Sequence, residues 1–132
     1  MLLHVIARGK IGRSPEAELV ERYLKRIAWP IKLTELSERA PPPLTPSNSV
    51  TVLLDEKGKA LSSMELATTL EQWRDRGVRE ARFVIGAADG HSPEERASAD
   101  LLISFGPATW PHLVVPALLA QQLFRATSIL AY

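Results

Sequence analysis

Three stretches of this 132-residue chain carry residue types that could do chemistry. His112 follows Thr109-Trp110-Pro111 and precedes a long apolar segment, where an imidazole could act as a base near neutral pH or could simply cap or pack. Gly86 and Gly90 bracket a turn in which backbone could approach a ligand closely, or which is only a tight turn. Phe105, Ala108 and Trp110 surround Gly106-Pro107 and could wall an apolar pocket for a flat ring. A third turn, Leu54-Asp55 to Lys59, completes a set expected at the carboxyl ends of strands, where open α/β sheets bind ligands.

Other chemistries find no support. With no cysteine, a disulfide framework, a thiolate metal site and a cysteine nucleophile are excluded. His4, His91 and His112 lack metal-ligand spacing of the HExxH kind, and there is no GxSxG elbow, no GxGxxG and no GxxxxGK[ST] phosphate loop. His4 sits in an apolar run and reads as a packed residue. Arg8, Lys10, Arg13, Lys25 and Arg26 could form a phosphate-facing patch or be an ordinary solvated face. The net charge of +1 gives no general electrostatic argument for nucleic acid. With no charged segment before an apolar one and no membrane-length run, the chain is expected to be cytoplasmic.

The elements that would position these residues alternate. Leu2 to Ala7 reads as a buried strand, and Ser14-Pro15-Glu16 as a helix start with Ser as N-cap and Pro at the first helical position. Leu19, Val20, Tyr23, Leu24 and Ile27 form the apolar face of that helix. Ile31 to Leu36 alternates as a half-buried strand does, and the proline-rich stretch from Ala40 to Asn48 reads as an extended linker. Val50 to Asp55 is a near-continuous apolar strand that is expected to turn through Lys57-Gly58-Lys59. Ser62 with Glu65 forms a capping box for a helix running to Gly77. Arg82 to Ile85, a short helix from Ser92-Pro93, Asp100 to Phe105 and a terminal helix follow. The pattern predicts one α/β domain over residues 1–132, with a mostly parallel sheet flanked by helices.

Four motifs, in order and spacing, resemble those of the RlmH family: Leu53-Leu54-Asp55-Glu56-Lys57-Gly58-Lys59, Phe83-Val84-Ile85-Gly86-Ala87-Ala88-Asp89-Gly90, Thr109-Trp110-Pro111-His112 and Leu119-Ala120-Gln121-Gln122-Leu123-Phe124-Arg125-Ala126. Members are small SPOUT-superfamily ribosomal RNA large-subunit methyltransferases that methylate N3 of a pseudouridine in 23S rRNA. The resemblance implies a C-terminal trefoil knot, a homodimer formed with help from the terminal helix, and S-adenosylmethionine as methyl donor. Carried over by motif, the cofactor contacts would be Leu54, Gly86 and the loop Phe105, Gly106, Pro107, Ala108, Thr109 and Trp110. His112 and Arg125 would be the catalytic candidates.

The chain also departs from the family pattern. The usual Gly-Gly is Gly86-Ala87, Pro116 stands where an Arg is expected and Gln121 where an acid is, and the Pro41 to Pro46 linker replaces a helical, often basic insertion. Members commonly continue into a His-Pro-Tyr-His tail with a basic residue after it, whereas this sequence ends at Tyr132. The resemblance therefore implies either an active methyltransferase or a degenerate member, the latter a knotted dimer that binds S-adenosylmethionine or RNA without efficient transfer.

Overall fold

A computed structural model of the chain describes residues 1–9, 12–37, 40–41, 43–86, 90–106 and 111–131. In chain order the elements are β1 (Leu2–Arg8), α1 (Pro15–Arg26), β2 (Ile31–Leu36), β3 (Ser49–Ala60), α2 (Ser63–Asp75), β4 (Glu80–Ile85), α3 (Pro93–Ser98), β5 (Leu101–Ser104) and α4 (Val115–Leu130). The five strands make one all-parallel sheet in the order β2-β1-β4-β3-β5. The expected alternation of strands and helices is therefore observed.

The strand order decides which face each helix covers. The β1-to-β2 and β3-to-β4 connections step in one direction along the sheet, so right-handed crossovers put α1 and α2 on the same face. On that face α4 packs against both. Leu3, Val5, Val52, Phe83 and Ile85 project from the strands into a core closed by Leu66, Leu70, Leu119 and Leu123, all buried. Each fully buried Leu or Phe contributes about 1.5–3 kcal/mol of apolar burial. Val20 of α1 meets Ala117 of α4, and the Tyr23 and Phe124 rings lie 5.8 Å apart. Leu19, expected on the apolar face of α1, is instead 40% exposed. It lies about 100° around the helix from Val20, outside the stripe that meets α4.

The opposite face is polar at its centre and crossed by the linker. His4 and Arg82, register partners on β1 and β4, are both buried there. Glu80 Oε2 accepts from Arg82 Nε at 2.8 Å and lies 3.3 Å from His4 Nδ1, while His4 Nε2 is 2.7 Å from the Thr34 hydroxyl. Arg82 also donates to the Pro43 carbonyl at 3.2 Å, and Arg8 to the Ala40 carbonyl at 2.7 Å. A proline-rich segment offers carbonyl acceptors but few N–H donors, so guanidinium groups are its natural partners. The packed reading of His4 holds, and the linker is a strap over the sheet.

One expectation fails at β3. Lys57-Gly58-Lys59 does not form a turn; the strand continues to Ala60, with a register shift between Leu54 and Lys59 where it pairs with β5. Gly58 makes this possible. A Cβ there would fall 2.5 Å from the Ile103 nitrogen and 2.6 Å from two carbonyl carbons of β5, so only glycine lets the two backbones come this close. Leu54 is accordingly not at the end of its strand; it is the last residue before the shift. The implied knot would depend on residues 87–89 and 107–110, which lie outside the described residues.

Candidate functional site

The carboxyl ends of β1, β4, β3 and β5 stand side by side in that order. Leu54 pairs with Ile85, the residue before Gly86, and also with Ile103, two residues before Phe105. The sheet thus sets Leu54, the last residue of β3 before its register shift, beside the strand residues that lead into Gly86, Phe105 and Gly106. Pro107, Ala108, Thr109 and Trp110 lie outside the described residues. Leu54 and Phe105 are half-buried against the core, and Gly106 has φ +97, a backbone state that favours glycine.

His112 is tied to the far side of this row. Its Nε2 lies 2.9 Å from the Arg8 carbonyl oxygen, and its ring occupies the space beside Gly9, where an added Cβ would meet Nε2 at 3.2 Å. A carbonyl only accepts, so Nε2 carries the hydrogen and the neutral ring presents Nδ1 as its lone pair. Gly106 follows β5, whereas His112 is held at the end of β1, with β4 and β3 between these two strands in the sheet. Arg125 is elsewhere. It is exposed on α4, ten residues beyond the first residue of that helix, which is about 15 Å along its axis.

A cluster absent from the sequence-based set includes the His91 ring beside Gly86. Asp55 is buried; its Oδ2 accepts from Arg96 Nε at 2.7 Å and its Oδ1 from the Lys57 backbone N–H at 2.9 Å. Burial pushes the Asp55 carboxyl up, but the Lys57 N–H and the Arg96 guanidinium outweigh it and hold the group below the usual carboxylate range. Glu95 behaves likewise: burial raises it, whereas the Ser92 backbone N–H and His91 lower it further. His91 Nδ1 stands 3.3 Å from Glu95 Oε2. The His91 ring fills the place of a Gly86 side chain, since a Cβ on Gly86 would meet its Cε1 at 3.1 Å. His91 Nε2 is buried and has no hydrogen-bond partner among the described residues.

Asp55 and Arg96 are 41 positions apart, and no local pattern links them. The available signal for His91 was local: Ser92 and Glu95 form a capping box on α3, which fixes Glu95 one turn from the preceding His. Among the described residues no group of three His, Asp or Glu is placed to hold a metal ion, and no helix is long and apolar enough to cross a membrane.

A family model described as predicted SPOUT methyltransferase matches residues 1–132. The chain belongs to the SPOUT methyltransferase family. Among its relatives, one from Erythrobacter litoralis is 68% identical, with 99% of this chain and 94% of that protein aligned. Relatives from Novosphingobium aromaticivorans and Zymomonas mobilis are 64% and 57% identical, with the same shares covered. All three are named ribosomal RNA large subunit methyltransferase H. The family match agrees with the resemblance carried by the strand-end motifs, and the all-parallel sheet is the α/β architecture that this resemblance implied.

Proposed function

We propose that this chain methylates large-subunit ribosomal RNA, transferring a methyl group from S-adenosylmethionine to N3 of a pseudouridine. The observation that carries the reading is the family match along residues 1–132, joined to a sheet that pairs Leu54 with Ile85 and Ile103, which precede Gly86 and Phe105 in the chain. The described residues fit such a donor. Leu54 and Phe105 are partly buried apolar residues, and Gly86 and Gly106 lie close to them in the chain or across the sheet. Leu54, Gly86 and the loop from Phe105 to Trp110 would hold the donor.

When bound, S-adenosylmethionine supplies an electrophilic methyl on a sulfonium sulfur. The chain has to align the ring nitrogen behind that methyl, and alignment alone accounts for much of the acceleration in such reactions. The nitrogen carries a proton that must leave as the N–C bond forms. His112 is the group to take it: with Nε2–H held by the Arg8 carbonyl, its Nδ1 lone pair is free to accept. Arg125, about 15 Å along α4, serves the site of a second copy, where its guanidinium meets phosphate or the developing anion. A homodimer is thus part of the proposal, as is a place among cytoplasmic ribosomes.

Calorimetric titration with S-adenosylmethionine, paired with tritiated-methyl transfer to assembled ribosomes, tests the reading. Binding with transfer is expected. Binding without transfer would favour the degenerate member over the enzyme, and no binding would overturn the cofactor site.

A further inference from the structure

Arg8 closes β1, and strand alternation puts its side chain on the strap face with His4 and Ile6. Its Nη1 donates to the Ala40 carbonyl at 2.7 Å, and its own carbonyl accepts from His112 Nε2 at 2.9 Å. The sequence offers this cation for a phosphate-facing patch, yet the residue is half-buried and its guanidinium holds backbone.

The peptide between Arg8 and Gly9 joins these contacts. Its N–H donates to the Leu36 carbonyl at 2.7 Å, and its C=O takes the His112 hydrogen. One planar group is therefore gripped from both sides. Leu2 donates to Arg79, just before β4, and Leu3 to Pro30, just before β2, so the even-numbered residues of β1 face β4 with their backbone groups. The Arg8 carbonyl thus points past Ile85, the last residue of β4, and His112 supplies the N–H that a longer strand would have offered. Leu36 and Ala40 bound the entrance of the strap, and residues 8 and 9 hold both of their carbonyls. A shift of that entrance is passed to the peptide, and through its carbonyl to the imidazole.

We infer that Arg8 is a positioning residue for methyl transfer: by pinning the strap entrance it keeps the 8–9 peptide where His112 is held through Nε2–H with Nδ1 as its lone pair. This inference rests on the methyltransferase reading with His112 as its base. Gly9 serves the same arrangement, since φ +86 and a Cβ position 3.2 Å from His112 Nε2 both disfavour a side chain there. A guanidinium has five donors, so a phosphate can engage it as well. That use would appear in ribosome binding and not in the action of the base.

The test uses the full chain and tritiated-methyl transfer to assembled ribosomes. Arg8→Ala is expected to lower kcat about tenfold, with KM for ribosomes and affinity for S-adenosylmethionine changed by less than about twofold. Arg8→Lys keeps a donor for the Ala40 carbonyl and should recover most of the loss. In a His112→Gln background the removal of Arg8 should cost nothing further, because the residue acts through the imidazole. A raised ribosome KM with kcat intact would make Arg8 a phosphate contact, and a kcat loss that persists beside His112→Gln would make it a structural residue; either result overturns the inference. Nitrogen-15 spectra of the histidine-labelled unaltered protein at about pH 8 require no variant to fold. His112 is expected to carry its hydrogen on Nε2 alone, and a hydrogen on Nδ1 instead overturns the inference. If the unaltered protein transfers no methyl group, the methyltransferase reading falls and takes this role with it; transfer indifferent to Arg8 sinks only the positioning role.

Discussion

The imidazole of His112 holds the carbonyl oxygen of Arg8 at 2.9 Å across 104 positions of sequence. The contact fastens the segment after β5 to the end of β1 and sets the tautomer of the proposed base. The two roles are separable by substitution. His112→Gln keeps an N–H for the Arg8 carbonyl but has no ring nitrogen able to accept the substrate proton. Chemical unfolding should show a stability change within about 1 kcal/mol, while kcat for ribosome methylation falls about 10²–10⁴-fold. An unchanged kcat would make His112 a fastening alone.

Asp55 and Arg96 join β3 to α3 through a 2.7 Å contact in which the carboxylate is buried and the guanidinium half-buried. Asp55→Asn should cost about 1–3 kcal/mol at pH 7, since a buried partner loses its match. The penalty depends on pH. Because the folded Asp55 carboxyl lies below its unfolded value, its stabilisation is present above about pH 4 and is lost as pH falls through the folded value. Urea melts at pH 7 and pH 3 should therefore show the two proteins converging in acid. A constant difference would mean that the ion pair is not the source.

Gly58 admits the β5 backbone to within contact of β3. Gly58→Ala should destabilise the fold by about 2–4 kcal/mol, because the clash is with backbone that cannot rotate away. Gly77→Ala is the control: nothing lies within 4 Å of its Cβ position, and φ +85 leaves only backbone strain, about 1 kcal/mol. Denaturation of both variants reads the difference. Because β5 leads into Phe105 and Gly106, the Gly58 variant should also bind S-adenosylmethionine more weakly, whereas the Gly77 variant should not.

Arg125 is exposed on α4, and its removal should leave the fold within about 0.5 kcal/mol. Its effect belongs to the RNA step. If the guanidinium faces the developing anion, Arg125→Ala lowers kcat about 10²-fold with cofactor affinity unchanged. If it holds phosphate, KM for ribosomes rises and the salt dependence of binding becomes shallower by about one counterion. Loss of cofactor affinity would contradict both placements.

The features legible without the fold are those whose partners are close in sequence. Ser14, Ser62 and Ser92 cap their helices through residues three positions on, and proline at the first turn of α1 and α3 is equally local. Strand and helix periods and helix caps anticipated the order of the nine elements of the described residues, but not the continuation of β3 to Ala60 through the turn expected at Lys57-Gly58-Lys59. The motifs at the strand ends, read together, carried the family.

What the sequence by itself determined was therefore the alternation of elements, the caps that start the helices and the segments that could bear a site. The tertiary structure alone decided the strand order β2-β1-β4-β3-β5, the continuation of β3 past Gly58, the strap over His4 and Arg82, and the meetings of His112 with Arg8, Asp55 with Arg96 and His91 with Gly86. A cap is satisfied within one helical turn, so its signal lies in adjacent residues. Pairings between distant residues depend on which faces bury together, and a periodic pattern identifies a buried face without identifying what will cover it.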